Sequence, residues 1–366
     1  MPPMHAKPSR YPQRLRQRLF LLPAALLFTA CATTGVAPPT PQPQPRVPED
    51  RPVAAAPTPE ENVVRDLIAA QDRLYRVAGP LLTNNAELCK SYARNLLGFT
   101  AKTRHSYSPE YAAAAQKVTG LGDRLQVMGV LAGSGAQRAG VQRGDVLLSV
   151  ENQALPEGEN AERQAATILA PLVTRRSAVQ MRVLRNNAPV TLDVPLTFAC
   201  GFGIELGNTD NVNAYSDGYR VLITRGMLNF TRSDDELAYV MARELAHNIL
   251  AHPSRRKLSA TLGGIIDNLT RVRPDMSTMT GLAGVKPVPQ DMDATADRLA
   301  LYILARANHN LDQVIPFWQR MAAQYPPTML NAYTAGHPAT AYRVAAMERT
   351  LKDIRAKQAA KRPLLP

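Results

Sequence analysis

Apolar residues recur along this chain in three rhythms, and each predicts a different kind of element. From Asn62 to about Leu97 they fall three and four apart (Val64, Leu67, Ile68, Leu74, Val77), which predicts one or two helices. From Leu125 to Val150, and again over Val179–Leu184 and Val190–Val194, they follow strand spacing, with a helical stretch from about Asn160 to Leu172 between. Helical spacing returns over Leu237–His252, Leu311–Tyr325 and Ala339–Lys357. The expected fold class is α+β: a mainly helical domain with a small sheet, interrupted by a β/α module.

The first thirty residues follow a third rhythm. Lys7, Arg10, Arg14, Arg16 and Arg18 precede an apolar run from Leu19 to Ala30, broken only by Pro23 and Thr29. The run is too short for a stable transmembrane helix and reads as a secretory signal. It ends Leu27-Phe28-Thr29-Ala30-Cys31, which resembles the lipobox of bacterial lipoproteins. Lipidated Cys31 would give a membrane anchor, and Ala32 after it implies outer-membrane sorting. Ordinary cleavage with Cys31 unmodified is the other reading. Proline dominates from Val36 to about Glu60, which favours an extended, semi-rigid spacer.

Charge changes the picture little. The formal charge is +13, and the five basic residues of the signal segment have no acidic counterpart, so removing them leaves +8. The remaining charges are scattered and only 5% of residues are aromatic, which excludes nucleic acid as the expected partner. After Cys31, only Cys89 and Cys200 remain. In an oxidising compartment they form either a disulfide or two buried thiols. A bridge would pin both ends of the segment between them.

The stretch Gly133-Ser134-Gly135-Ala136-Gln137-Arg138-Ala139-Gly140-Val141-Gln142-Arg143-Gly144-Asp145-Val146-Leu147-Leu148-Ser149-Val150 resembles a PDZ domain of the bacterial protease-associated kind. Glycines at 140 and 144 permit the turns between a short helix and the Val146–Val150 strand, and Ala136 and Ala139 let that helix pack closely. The resemblance implies a site where an extended peptide adds as a strand beside a helix, with Gly120-Leu121-Gly122 as candidate carboxylate loop. A module kept only as a spacer is the bland reading.

Ser233-Asp234-Asp235-Glu236 offers a capping box, with three carboxylates at the positive end of the next helix. That helix carries Arg243-Glu244-Leu245-Ala246-His247. Zinc peptidases place H-E-x-x-H on such a helix, two histidines binding zinc and the glutamate activating water. Flanking segments extend the likeness: Asn213–Gly218 and Val221–Leu228 upstream, Asp293-Ala294-Thr295-Ala296-Asp297 downstream, then His337-Pro338 with Arg343. Together they resemble the HtpX-like periplasmic zinc metallopeptidases (peptidase family M48, gluzincin type), with the PDZ-like unit inserted. The implied layout is 1–30 signal, 31–61 linker, 62–115 N-terminal helices, 116–198 PDZ-like, 199–357 metallopeptidase-like and 358–366 a frayed tail.

The resemblance makes Glu244 the catalytic base, His247 and Asp293 metal ligands, and Asp297, His337 and Arg343 their supports. Two ligand positions depart from the family. The first histidine is Arg243, which stays protonated and offers no lone pair, and the third ligand is aspartate where the family has glutamate. Zinc is therefore the cofactor implied by resemblance but expected to be absent or weak. If Arg243 points where the histidine would, it faces Asp293 and Asp297, and a contact below about 3.2 Å is expected. His252 and His309 read as surface or capping residues, and His337 as a rescue ligand beside His247 and Asp293.

Two readings follow. In the first, a pseudopeptidase binds envelope proteins or peptides without cutting them. In the second, a zinc endopeptidase of altered ligation uses Glu244, with an edge strand near Val221–Thr224 aligning substrate. Residues 253–290 read as either a mobile lid or a surface for membranes and partners, and their mixed composition assigns neither role.

Overall fold

The computed structural model describes residues 56–252, 288–328 and 331–366. The signal segment, Cys31, most of the proline-rich spacer and nearly all of the expected lid lie outside them. Among the described residues no helix is long and apolar enough to cross a membrane.

Helix α1 (Pro59–Thr83) starts where Thr58 accepts a hydrogen bond from the Glu61 N–H, with proline at its first position and Glu60 and Glu61 favouring its positive end. Its buried stripe includes Val64, Leu74, Val77, Ala78, Leu81 and Leu82. After α2 (Ala86–Cys89) the chain becomes strand β1 (Ala93–Leu96), so the helical reading to Leu97 overshoots. Pairing overrides local spacing here, because β1 runs antiparallel to β8 (Thr197–Cys200), with Ala93 opposite Cys200. Cys89 and Cys200 form a disulfide with Cα atoms 5.5 Å apart, fixing both ends of the insertion to one place.

The inserted module comprises β2 (Phe99–Lys102), α3 (Pro109–Thr119), β3 (Gln126–Val130), α4 (Gly135–Arg138), β4 (Val146–Val150), β5 (Gln153–Ala154), α5 (Ala161–Arg175), β6 (Ala178–Arg185) and β7 (Ala188–Pro195). Its antiparallel sheet has the order β2-β3-β4-β6-β7, with β5 added to β4. Asn186 and Asn187 both take positive φ in the tight β6–β7 turn, the conformation two-residue hairpins favour. The sheet begins at Phe99, before the expected boundary at residue 116, since Phe99 pairs with Val130. Helix α3 straddles the expected end of the N-terminal helices at residue 115, beyond the helical spacing that stops near Leu97. Its Ala-rich sequence gives little apolar contrast, and it is held by tertiary contacts with Val64, Tyr107 and Leu121.

The metallopeptidase-like part follows as β9 (Gly203–Gly207), β10 (Ala214–Ser216), β11 (Arg220–Thr224), α6 (Arg225–Phe230), α7 (Asp234–Ile249), α8 (Gln290–Arg306), α9 (Val314–Gln324), α10 (Ala332–Gly336) and α11 (Ala341–Ala359). One hydrophobic core joins residues 74–96 to residues 199–354, while a second core holds only residues 97–194. The module therefore interrupts a domain built from both flanks. The three-stranded sheet has the order β10-β11-β9. Val221–Thr224 is thus a central strand, correcting the edge expected there; its continuous apolar run suits burial on both faces. Among the described residues the edges are Ala214–Ser216 and Gly203–Gly207. The tail is also tied: Lys357 Nζ donates to the Leu365 carbonyl at 2.7 Å, and Arg306 donates to that of Leu364.

Candidate functional site

Helix α7 is buried on every side from Leu237 to Asn248, so its polar residues lie inside the protein. Ser233 caps it, accepting from the Glu236 N–H at 3.2 Å. The reciprocal half of the expected box is missing: the Glu236 carboxylate accepts from the Arg232 N–H and from Arg320. The helix ends at Ile249, where Ala251 takes positive φ, so His252 folds back beside His247 with their Nδ1 atoms 3.0 Å apart. His309 sits against the helix start, donating to Asp235 at 2.7 Å.

Asp293 and Asp297 lie four apart on one face of α8, both buried. Arg243, only 1% exposed, brings Nη2 to 3.0 Å from Asp293 Oδ1 and Nε to 3.3 Å from Asp297 Oδ1. These are ion-pair distances without hydrogen-bond direction, since none of the three guanidinium nitrogens has a directed partner. The guanidinium carbon also lies 5.0 Å from the Trp318 ring centre and 5.7 Å from that of Tyr333. Charge and ring faces hold it. Burial opposes its charge, but Tyr333, Asp297, Asp293 and Glu244 together more than compensate, so Arg243 stays a cation.

Asp297 is gripped by a different arginine. Arg343 donates Nε to Oδ2 at 2.7 Å and Nη2 to Oδ1 at 2.9 Å, and its Nη1 reaches the carbonyls of His337 and Pro338. The His-Pro pair therefore docks Arg343 through its backbone. The His337 ring donates to Asp293 at 2.8 Å. Burial would raise the Asp293 carboxyl, yet Arg243, with His247 and His337, holds it far below the usual carboxylate range. Burial, then Arg243, pushes His337 down.

Glu244 is bound on both oxygens, by Ser216 Oγ at 2.8 Å and Tyr333 Oη at 3.1 Å. Asn248 accepts from the Gly218 N–H at 2.6 Å and donates to the Arg220 carbonyl, fixing the β10–β11 turn to the helix. Trp318, Tyr333, Ser216 and Asn248 escaped the sequence reading. Ser216 and Asn248 stood inside segments already singled out; the two aromatics arrive from separate helices and carry no local signal.

These donors do not fit the catalytic zinc set of the resembled family. A protonated guanidinium stands 3.0 Å from the carboxylate that would be its third ligand. Among the described residues a different trio, His247, Asp293 and His337, has ligand atoms within 4.8 Å of one another. In the module, the expected carboxylate loop Gly120-Leu121-Gly122 directly follows α3. Gly120 ends α3 in the left-handed region, Leu121 is buried, and the amides of both already donate within the chain.

Residues 182–351 match the family model described as Peptidase family M48. The chain is 27% identical over 150 residues to a beta-barrel assembly-enhancing protease of Yersinia pestis, covering 35% of this chain and 31% of that protein. It is 24% identical over 147 residues to the mitochondrial metalloendopeptidase OMA1 of Schizosaccharomyces pombe, covering 38% and 44%. The chain thus spans less than half the length of either relative. Solved structures with local likeness are the HtrA3 PDZ domain bound to the phage-derived ligand FGRWV (19% identity, 28% of this chain and 86% of that one, TM-score 0.21) and the HtrA-type protease AlgW with a decapeptide (27% identity, 29% and 30%, TM-score 0.22). At such TM-scores these two carry no weight beyond the module's own topology.

Proposed function

We propose that this chain, in which a peptidase family M48 domain is interrupted by a PDZ-like module, binds proteins or peptides of the bacterial envelope without hydrolysing them. One observation carries the reading: the Arg243 cation lies against Asp293 and Asp297, where a metal-binding histidine would stand. A positive charge there repels a divalent ion, and loss of a metal-binding side chain costs more than the 10–100-fold typical of its supporting partners. Glu244 is engaged on both carboxylate oxygens, by Ser216 and Tyr333. The signal-like N-terminus supports a periplasmic location, with lipidated Cys31 as outer-membrane anchor, and the Yersinia relative's name points to β-barrel assembly as the process served.

The trio His247, Asp293 and His337 favours a second reading, a zinc endopeptidase of altered ligation with Glu244 as general base. Metal content and casein cleavage of the purified mature chain separate the two. The first expects substoichiometric zinc, no cleavage, and retained envelope proteins in a pull-down. Stoichiometric zinc, with cleavage abolished by both Glu244→Gln and His337→Ala, would establish the second and remove the first.

A further inference from the structure

Strand β2 ends the module's sheet, and among the described residues β3 is its only strand neighbour. An unpaired edge ordinarily leaves backbone amides and carbonyls open to water or to an added strand. Here Phe99, Thr100, Ala101 and Lys102 are each only 2–4% exposed. Helix α5 accounts for one wall. Ala161, Ala165 and Leu169 pack in the same cluster as Phe99 and Ala101, and Asn95, just before β2, donates to the Arg176 carbonyl at the helix end. The helix therefore runs alongside β1 and β2 in the opposite direction, its first turn beside the end of β2.

Residues 103–107 join those two ends. Thr103 and Ser106 form a reciprocal cap, with the Ser106 oxygen accepting from the Thr103 N–H at 2.9 Å. The same hydroxyl donates to the Glu162 carboxylate on the first turn of α5. Outer ties reinforce the segment: Arg104 N–H donates to the Gly122 carbonyl at 3.0 Å, and His105 and Arg104 lie 2.8 and 2.9 Å from Asp123. Asp123 in turn accepts through its carbonyl from Gly158, just ahead of α5. Tyr107 is buried beside Leu121, so the segment is anchored at its far end.

We propose that residues 103–107 are a strap which closes the strand-addition groove between β2 and α5, and that the Ser106–Glu162 contact must release before a peptide backbone can pair with β2. A peptide along β2 would run out between the strand end and the first turn of α5, the gap this contact bridges. Envelope-protein binding through the module would then be gated. The inference rests on the PDZ-like reading of the module and is independent of whether the peptidase-like site holds metal.

The test is hydrogen exchange on the mature chain, followed by binding of the pentapeptide FGRWV with a free or amidated C-terminus. The wild type is expected to protect the Phe99–Lys102 amides and to bind neither form. Ser106→Ala and Glu162→Ala should speed exchange there at least about tenfold, the worth of one hydrogen bond to a charged group. The free-carboxylate peptide should then bind at least about tenfold more tightly than to the wild type. Glu162→Ala leaves the Thr103–Ser106 turn whole, so it guards against simple unravelling of that turn; α7 must stay protected throughout. Unprotected β2 amides in the wild type, unchanged exchange in both variants, or equal peptide affinity before and after substitution would each overturn the strap.

Discussion

Arg343 and Asp297 form a two-pronged buried pair, at 2.7 and 2.9 Å, whereas Arg243 approaches the same carboxylate at 3.3 Å with no directed hydrogen bond. Two arginines thus share one pair of aspartates by different physics. Geometry holds Arg343; charge and the rings of Trp318 and Tyr333 hold Arg243.

Lysine separates the two. Arg343→Lys keeps the charge but loses the fork, which should lower stability by about 1.5–3 kcal/mol for a lost hydrogen bond between charged groups. Arg243→Lys gives up ring contacts but no directed hydrogen bond, so it should cost less than Arg343→Lys. Urea unfolding of both variants checks the order, and equal or reversed costs would show that Arg243 is held by hydrogen bonding after all.

The part of this arrangement readable in the sequence is the part carried by spacing within one helix. Arg243 and His247 sit four apart on α7, Asp293 and Asp297 four apart on α8, so their meeting follows once the two helices are recognised. Arg343's true partner was not readable, because nothing local distinguishes an arginine reaching across to Asp297 from one facing solvent. Strand neighbours were equally hidden: Val221–Thr224 has the apolar run of a buried strand, but only pairing with both β9 and β10 makes it central. Helix α3 and β2 fall where Ala-rich or four-residue segments give no periodic signal.

Lys102 is buried near the Tyr107 ring, and burial pushes its ammonium down to about 8 from an ordinary value of 10.5. The unfolded chain keeps this proton up to about pH 10.5 and the folded chain only to about pH 8, so stability contributed here rises with pH across that window and is lowest below it. Lys102→Met should therefore stabilise the protein at pH 7, by up to roughly 3 kcal/mol. The gain should shrink towards zero by pH 10.5. Paired urea titrations at pH 7 and pH 10 read the difference, and a variant less stable at pH 7 would mean the ammonium is well satisfied by the Glu162 charge, Gln71 and the ring.

Cys89 and Cys200 are 111 residues apart, so their bond removes much freedom from the unfolded chain. Replacing both with alanine should cost about 2–5 kcal/mol, and dithiothreitol should lower the wild-type melting temperature while leaving the double variant unmoved. A wild type indifferent to reductant would mean the β1–β8 pairing alone holds the neck of the insertion.

The last prediction restores what the site has lost. Arg243→His with Asp293→Glu rebuilds the two departed ligand positions around His247 and replaces a fixed cation by a neutral donor. Zinc binds the folded state preferentially, so the double variant should gain about 2.7 kcal/mol of stability at zinc a hundred times its dissociation constant, reversed by chelator. The wild type should melt at the same temperature with zinc or with EDTA, because the Arg243 charge is already in place beside both carboxylates. Thermal melts with and without metal decide it. A wild type raised by zinc as much as the double variant would show that the guanidinium yields its position, and the non-hydrolytic reading would go with it.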